Sequence, residues 1–333
     1  SNLKESDFPC KDDMVDNSFS RYSPLVLDSL CDTLVKDVVE KVIGEKVIPT
    51  YTHCRLYYNG AVMYRHVDRS SSEISASLCL SVDDEHNWPL MMEDKNKKTF
   101  SINQKPGDMV VYDGNELEIF NSDSSLFNLN FSTGISINTK DLFFNPTQIS
   151  KDEITMRLEV DSSHFIDFNY KLKEDYLVDF DINLIGMNEV IPNELNFMNL
   201  QWQMKTPQTE KSRENQDMYT GIYYQYFADK DDIDYLGYTN SNDIEKISNK
   251  LSWIAFQQQF FSSILLAENG IKNTNLTSIK EENSDYIKNL SAEFEIDYNH
   301  NDYENIGFQF YFGPNHYKQL QSYNKNFEEI IPL

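Results

Sequence analysis

The sequence predicts a mainly β protein with two domains. The chain has 333 residues, more than one domain of roughly 100–200 residues requires. It contains 20 tyrosines and 21 phenylalanines, residue types that favour strands. Short runs in which apolar and polar residues alternate, such as Val178–Leu184, are separated by Asn, Asp, Gly and Pro. Such runs indicate antiparallel strands with one buried face and one solvated face.

The N-terminal part reads as one helix followed by strands. From Ser23 to Ile43 apolar residues recur at helical spacing, with Ser23 suited to the cap and Pro24 to the first helical position. The strands predicted after Pro49 are 51–58, 62–66, 74–82 and 109–112. We expect a turn at Asn59-Gly60 to join the first two of them.

From Leu126 onward the pattern is that of a large β-sandwich. The predicted strands are 126–131, 154–160, 165–172, 178–184, 200–204, 219–227 and 307–314. The run 253–264 is apolar at mixed spacing and is expected in the core. After Gly313-Pro314, residues 317–327 have helical spacing, with Pro314 in the first turn.

Cysteine and charge distributions divide the chain. Cys10, Cys31, Cys54 and Cys79 all precede position 80 and have no zinc-like spacing, which favours free thiols in a reducing compartment over disulfides. Residues 1–115 carry a net charge of -6, so residues 116–333 carry -25 + 6 = -19. We therefore place the domains at 1–116 and 117–333.

Charge also excludes classes of partner. The 54 acidic and 29 basic side chains give a net charge of -25, which repels phosphate backbones and anionic lipid. Nucleic acid is excluded as a partner. Because there is no 18-residue apolar run and no basic-then-apolar N-terminus, we expect no transmembrane segment in this chain.

A candidate metal site lies in the N-terminal part. His66 and Asp68 are two residues apart on a predicted strand, so they lie on the same face. An imidazole and a carboxylate, joined by a second distant imidazole, form the facial triad of non-haem Fe(II) oxygenases. Alone, the spacing is a weak signal and more often indicates a surface histidine paired with Asp68.

The neighbouring motifs favour the metal. In order, they are Cys54–Gly60, His66–Arg69, Glu73–Ala76, Trp88–Leu90 and Pro106–Gly114. With them, residues 20–118 resemble the Fe(II)/2-oxoglutarate-dependent oxygenases of the prolyl-4-hydroxylase-like branch. The resemblance implies a double-stranded β-helix (jelly roll), Fe(II) and 2-oxoglutarate as cofactors, His66 and Asp68 as iron ligands, Tyr57 as a 2-oxoglutarate contact, and a cytoplasmic location for 1–116.

One part of that family's pattern is missing. The family's third ligand should follow the Tyr112-Asp113-Gly114 strand, but residues 116–121 contain no His. Lys and Arg are also absent between Lys105 and Lys140, where a partner for the 2-oxoglutarate carboxylate is expected. The third ligand is not identified, although Glu116 or Glu118 can supply an oxygen. We expect a damaged iron site and a partial jelly roll.

The C-terminal part carries a second resemblance. The residues are 127–131, 141–144, 219–224, 253–263 and 310–314, with Tyr317, Leu320 and Tyr323. With them, residues 117–333 resemble the periplasmic domain of the bacterial membrane protein insertase YidC. This implies a β-supersandwich with a short C-terminal helix, no catalysis, a periplasmic location, and partners in membrane protein insertion or the translocon. It also implies that the family's amphipathic helix and first insertase transmembrane segment would begin near Leu333.

The two resemblances meet near Leu117, which suggests a chimera, whether natural, misassembled or designed. We predict a non-catalytic insertase domain joined to an oxygenase-like domain. The alternative is an active dioxygenase that hydroxylates a peptidyl or other side chain; a carbohydrate-active sandwich is a third possibility by fold analogy. His164, His300 and His316 are isolated in sequence and are not expected to be ligands. The location of the whole chain stays unresolved.

Overall fold

The structure is a computed structural model. It describes residues 10–11, 15–21, 34–49, 52–64, 68, 73–82, 89–94, 96–113, 124–210, 212–229, 232–238, 242–282 and 284–331. The chain forms two compact units, Ser1–Leu117 and Glu118–Leu333. Both are mainly β, which confirms the predicted fold class. No helix within these ranges has the length and apolar character needed to cross a membrane.

The first unit consists of small antiparallel sheets, in agreement with a partial jelly roll. Its strands are β1 (Cys10–Lys11), β2 (Val15–Arg21), β3 (Cys54–Met63), β4 (Ile74–Leu78), β5 (Leu90–Glu93), β6 (Thr99–Ile102) and β7 (Met109–Asp113). The pairings are β1-β2-β3, β4-β7 and β5-β6. The helix α1 covers Lys36–Ile43 and ends at Gly44, whose N–H donates to the Glu40 carbonyl. Ser23 and Pro24 lie outside the described residues.

The hairpin predicted at Asn59-Gly60 is wrong. β3 runs unbroken through these residues and pairs with β2. The register jumps from Asp16↔Val62 to Ser18↔Tyr57, so β3 has extra residues opposite Asn17. Gly60 has a φ of +84° there. The left-handed conformation of Gly60 would suit a two-residue turn. Here it occurs at an irregularity within a single strand.

The second unit is one sheet of fourteen strands. Its first seven strands are β8 (Ser125–Ser132), β9 (Ser136–Asn138), β10 (Asn145–Ile149), β11 (Glu153–Glu159), β12 (Phe165–Leu172), β13 (Leu177–Ile185) and β14 (Phe197–Pro207). The other seven are β15 (Gly221–Tyr226), β16 (Ile233–Leu236), β17 (Asn242–Ile247), β18 (Leu251–Gln257), β19 (Phe261–Lys280), β20 (Tyr286–Asp297) and β21 (Tyr303–Pro314). The main path is β10-β11-β12-β13-β21-β19-β20-β14-β8-β9, and β15, β16, β17 and β18 branch from it.

The sheet curls so that its two halves pack face to face. Trp202 on β14 stacks on Phe256 on β18, with ring centroids 3.8 Å apart. Phe127 on β8 contacts Phe180 on β13 at 4.9 Å. The 20-residue strand β19 connects the halves, because Phe261–Leu266 pair with β21 and Lys272–Lys280 pair with β20. The result is an inner core of alternating strand residues, as the sequence pattern predicts.

Short helices complete the second unit. They are α2 (Arg213–Met218), α3 (Tyr317–Ser322) and the 3-10 turns Thr139–Asp141, Met187–Glu189 and Phe327–Ile330. The predicted C-terminal helix is therefore split into α3 and a 3-10 turn. Pro314 belongs to β21 rather than to the first helical turn. The cap of α3 is His316, whose Nδ1 accepts from the backbone N–H of Gln319.

Candidate functional site

The C-terminal residues 315–331 form a helical cap on the outer face of the second unit's sheet. Beneath it lies a second apolar cluster, separate from the inner core. Its buried members are Trp253, Ala255, Ile264, Leu266, Tyr311, Leu320, Phe327 and Ile330. The motifs 253–263 and 310–314 and the helix around Leu320, which are separate in sequence, meet in this cluster.

Two polar side chains of β18 hold the cap by its backbone. The indole Nε1–H of Trp253 donates to the Lys325 carbonyl at 3.0 Å. The Nε2 amide of Gln257 donates to the Ile330 carbonyl at 2.7 Å. Both side chains are at most 1% exposed. Since buried carbonyls need donors, these two contacts fix the position of the cap on the sheet.

The start of the cap is fixed by β19 and β21. Ser262 Oγ donates to Asn315 Oδ1 at 2.7 Å, and Asn315 Nδ2 donates to the Gln258 carbonyl at 2.8 Å. Tyr311 Oη donates to the Pro314 carbonyl at 2.6 Å. A Cβ at Gly313 would lie 2.6 Å from Cζ and Oη of Tyr311. Gly313 is therefore required for the Tyr311 ring to lie where it does.

A cluster of tyrosines continues from the cap to an edge of the sheet. The rings of Tyr223, Tyr235 and Tyr238 lie 5.3 to 5.8 Å apart. Tyr223 Oη donates to Tyr238 Oη at 3.1 Å, and Tyr238 Oη donates to Gln257 Oε1 at 2.6 Å. Tyr235 is 57% exposed on β16, which pairs only with β15 in the described sheet. We call Tyr223, Tyr235 and Tyr238 the tyrosine edge.

Tyr238, Tyr311 and Tyr323 stay neutral. Burial raises the pKa of Tyr238 far above its usual value. Burial likewise raises the pKa of Tyr311 under the cap and of Tyr323 within the cap. A phenol that does not ionise is a poor nucleophile or base at neutral pH. The chemistry of this region is hydrogen bonding and aromatic packing, which is suited to binding.

The predicted iron site in the first unit is only partly within the described residues. Asp68 Oδ2 accepts from Tyr112 Oη on β7 at 2.7 Å. Tyr57 lies on β3, and its Oη accepts from Arg55 Nη1 at 3.3 Å. His66 lies outside the described residues, as do Glu116 and Glu118. Within the described ranges no group of three or more His, Cys, Asp or Glu side chains is arranged to hold a metal ion.

The histidines of the second unit have separate roles. His316 caps α3, and the His300 ring packs at a tilt of 59° against Tyr298 in the β20–β21 turn, with ring centroids 4.4 Å apart. His164 contacts two carboxylates, those of Asp161 and Glu189. The structure does not bring the three imidazoles together as ligands of one site. The Asp161–His164–Glu189 arrangement was missed from the sequence, because Glu189 is 25 residues from His164.

The curled sheet and its cap define the second unit as a β-supersandwich domain. The family model described as YidC periplasmic domain matches residues 99–333. The chain therefore belongs to the YidC periplasmic domain family. The match begins at Thr99, inside the first compact unit, and includes all of the second.

Several curated relatives share the name Membrane protein insertase YidC. The protein of Phocaeicola vulgatus is 36% identical over 215 residues, which are 64% of this chain and 34% of that protein. The protein of Bacteroides fragilis is 35% identical over 214 residues, 63% of this chain and 34% of its own length. That of Azobacteroides pseudotrichonymphae is 31% identical over 255 residues, 73% of this chain and 41% of its length. The chain thus spans 34% to 41% of the length of these relatives.

A solved structure, the heparan sulfate lyase HepC mutant from Pedobacter heparinus, is 12% identical with a TM-score of 0.26. It covers 51% of this chain and 21% of its own. A likeness at this score supports no conclusion about fold or activity.

Proposed function

We propose that the chain acts as a periplasmic interaction domain of a membrane protein insertase and contacts partners in membrane protein insertion or the translocon. The observation that carries this proposal is the cap, because the motifs that relate the chain to the family converge there on packing and backbone hydrogen bonds. Contacts of this kind position one element on another. The tyrosine edge beside the cap is the contact surface we assign, since tyrosine is enriched at protein interfaces.

The proposal is tested by photo-cross-linking from the tyrosine edge. A photoreactive phenylalanine analogue replaces Tyr235, which is 57% exposed, in the whole chain. A matched variant carries the analogue at Ile149, which is 71% exposed on β10. We expect cross-links to translocon or insertase components in membranes of the source organism from position 235 and fewer from position 149. Equal labelling from both positions, or none, argues against this surface.

Location is tested separately. In spheroplasts of the source cells, a periplasmic protein is digested by added protease while a cytoplasmic marker stays intact. We expect digestion of the chain, detected with an antibody against the second unit. Protection until the cells are lysed contradicts a periplasmic location.

We infer a second candidate function for the first unit, that of an Fe(II)/2-oxoglutarate-dependent dioxygenase. The supporting observation is the 2.7 Å hydrogen bond from Tyr112 to Asp68, because these residues come from two of the separate motifs on which the resemblance rests. The same hydrogen bond engages Oδ2 of Asp68, which is one of the two proposed iron ligands. The relatives reported above are named as insertases, so this candidate rests on those motifs and this contact alone.

Anaerobic titration with Fe(II) and 2-oxoglutarate tests the dioxygenase candidate for the first unit. The dioxygenase candidate requires a charge-transfer absorption that His66→Ala removes and that Tyr57→Phe weakens. The interaction-domain proposal, with a damaged iron site, expects no such absorption in the wild-type chain. Because the titration reads the first unit only, either result leaves the cross-linking test of the second unit interpretable.

A further inference from the structure

His164 holds together two loops at one end of the second unit. It lies in the turn between β11 and β12, and its Nδ1 is 2.8 Å from both carboxylate oxygens of Asp161 in the same turn. Its Nε2 is 3.3 Å from Oε2 of Glu189. Glu189 ends the 3-10 turn that follows β13. The imidazole therefore bridges carboxylates from two different loops.

This geometry requires a charged imidazole. A neutral imidazole has a single N–H and can donate to only one carboxylate. Both ring nitrogens of His164 face carboxylate oxygens, which only accept, so both must carry a proton. The hydrogen bond with Asp161 raises the pKa of His164, and the one with Glu189 raises it further. Asp161 responds in the opposite direction, because the same hydrogen bond lowers its pKa.

The backbone brings the two loops close enough for this bridge. Gly186, which precedes the 3-10 turn, has a φ of +64°, and a Cβ there would lie 2.4 Å from the Ser163 carbonyl oxygen. Its N–H donates to the Asp302 carbonyl of the β20–β21 turn at 2.8 Å. That turn carries one imidazole and one carboxylate, those of His300 and Asp302. Within the described residues neither forms an ion pair with His164.

The loop that His164 reaches is joined to the inner core. Met187 and Ile191 flank Glu189 and are each 2% exposed. The Ile191 N–H donates to the Met187 carbonyl at 2.8 Å, which closes this turn over the end of the sandwich. Holding Glu189 therefore holds the segment that covers this end of the core.

We propose that His164 is a pH-controlled clamp, which as an imidazolium locks the β11–β12 turn onto the segment 186–191 and releases it on losing a proton. Because the pKa of His164 is raised on folding, the clamp is complete below the usual histidine pKa of about 6.5. It is lost as the pH rises through the higher pKa of the folded state. The inference is independent of the proposed insertase function.

The test is a histidine NMR titration of the whole chain, combined with amide hydrogen exchange corrected for intrinsic rates. We expect His164 to titrate above pH 6.5, with loss of protection in 161–164 and 186–191 as the pH passes its midpoint. Glu189 is 72% exposed, so Glu189→Gln should fold, and it should shift the midpoint downward. His164→Gln assigns the resonance and should make the protection of both segments independent of pH.

His316→Gln is the matched control, because the Nδ1 atom of His316 accepts from the Gln319 N–H at the start of α3, an element separate from these loops. It should leave the protection of 161–164 and 186–191 unchanged. A His164 midpoint at or below 6.5, an unshifted midpoint in Glu189→Gln, or constant wild-type protection across the midpoint overturns the proposal. The wild-type titration decides the matter even if a variant fails to fold.

Discussion

The inner and outer apolar clusters of the second unit are built in different ways. In the inner core, Phe180, Ile182 and Leu184 alternate along β13 and are each 0% exposed, and their contacts are between side chains. Under the cap, Trp253 and Gln257 donate to backbone carbonyls of residues 325 and 330. The inner core follows from strand periodicity, whereas the outer cluster depends on single polar contacts. Substitutions should therefore act globally in the first and locally in the second.

The largest effect expected under the cap is that of Trp253→Ala. It removes a side chain that is 0% exposed, its contact with Phe327 and its hydrogen bond to Lys325. We expect a loss of about 3–5 kcal/mol in the free energy of unfolding, measured with urea. Hydrogen exchange should show that residues 315–331 lose protection first.

Phe180→Ala is the matched change in the inner core. Its expected loss is also about 3–5 kcal/mol. Its protection loss should instead extend through β12, β13 and β21, because the Phe180 ring contacts Phe168, Tyr170, Phe308 and Phe310. If both variants lose protection over the same residues, the two clusters are one cooperative unit and the distinction fails.

A buried polar side chain that contacts backbone carbonyls, like those that hold the cap, also occurs on β20. Lys288 on β20 is 1% exposed, and its Nζ lies 3.0 Å from Asp217 Oδ1. It also donates to the carbonyls of Thr220 and Gly237 at 2.6 and 2.5 Å. Asp217→Asn leaves this ammonium buried without its counter-charge, and we expect a loss of about 3 kcal/mol. Lys288→Met, which removes the charge and keeps the volume, should lose less.

The pH dependence of this pair has a defined sign. Burial raises the pKa of Asp217, but the hydrogen bonds from Lys280 and Lys288 outweigh it, so the net shift is downward. A depressed carboxyl pKa contributes stability above the unfolded-state value of about 3.9, and this stability is lost as the pH falls through the folded-state value. Wild type should therefore lose more stability than Asp217→Asn on acidification below pH 4. Parallel acid curves contradict the role of Asp217.

The next largest loss of stability is expected where the backbone of Gly313 contacts the Tyr311 ring under the cap. Gly313→Ala places a Cβ 2.6 Å from the Tyr311 ring and should cost about 1–3 kcal/mol through displacement of that ring. Gly307→Ala, on the same strand and the same face, brings its Cβ within 3.2 Å of the Asp181 carboxylate and 3.8 Å of Asn305 Oδ1, and among the described residues it meets no backbone atom or ring within 4 Å. Since both side chains can move, its effect should stay within about 0.5 kcal/mol. Equal losses in the two variants would show that the Tyr311 contact is unimportant.

The same contrast explains what the sequence could predict. Alternation along β13 and β12 was enough to place their strands and buried faces. The run 253–264 was recognised as core, but its outer face and the cap that covers it depend on contacts over about 70 residues, such as Gln257 to Ile330. The 20-residue strand β19 was not predicted from hydrophobic periodicity, because the strand changes its pairing partners near Gly270, where φ is +74°. The roles of Asp68 as an iron ligand and of Tyr57 as a 2-oxoglutarate contact stay predictions, since the other predicted ligand, His66, lies outside the described residues.

Adjacent serines on β19 provide the smallest and most direct comparison of the two faces. Ser262 is 0% exposed and faces the cap, where Oγ donates to Asn315 Oδ1 at 2.7 Å. Ser263 is equally buried but faces the inner core, where its Oγ lies 3.7 Å from Met204 Sδ, a weak acceptor. Ser262→Ala should cost about 1 kcal/mol, because Asn315 Oδ1 loses its donor. Ser263→Ala should be nearly neutral in urea unfolding, and the reverse order of the two losses would mean that polar contacts do not distinguish the faces.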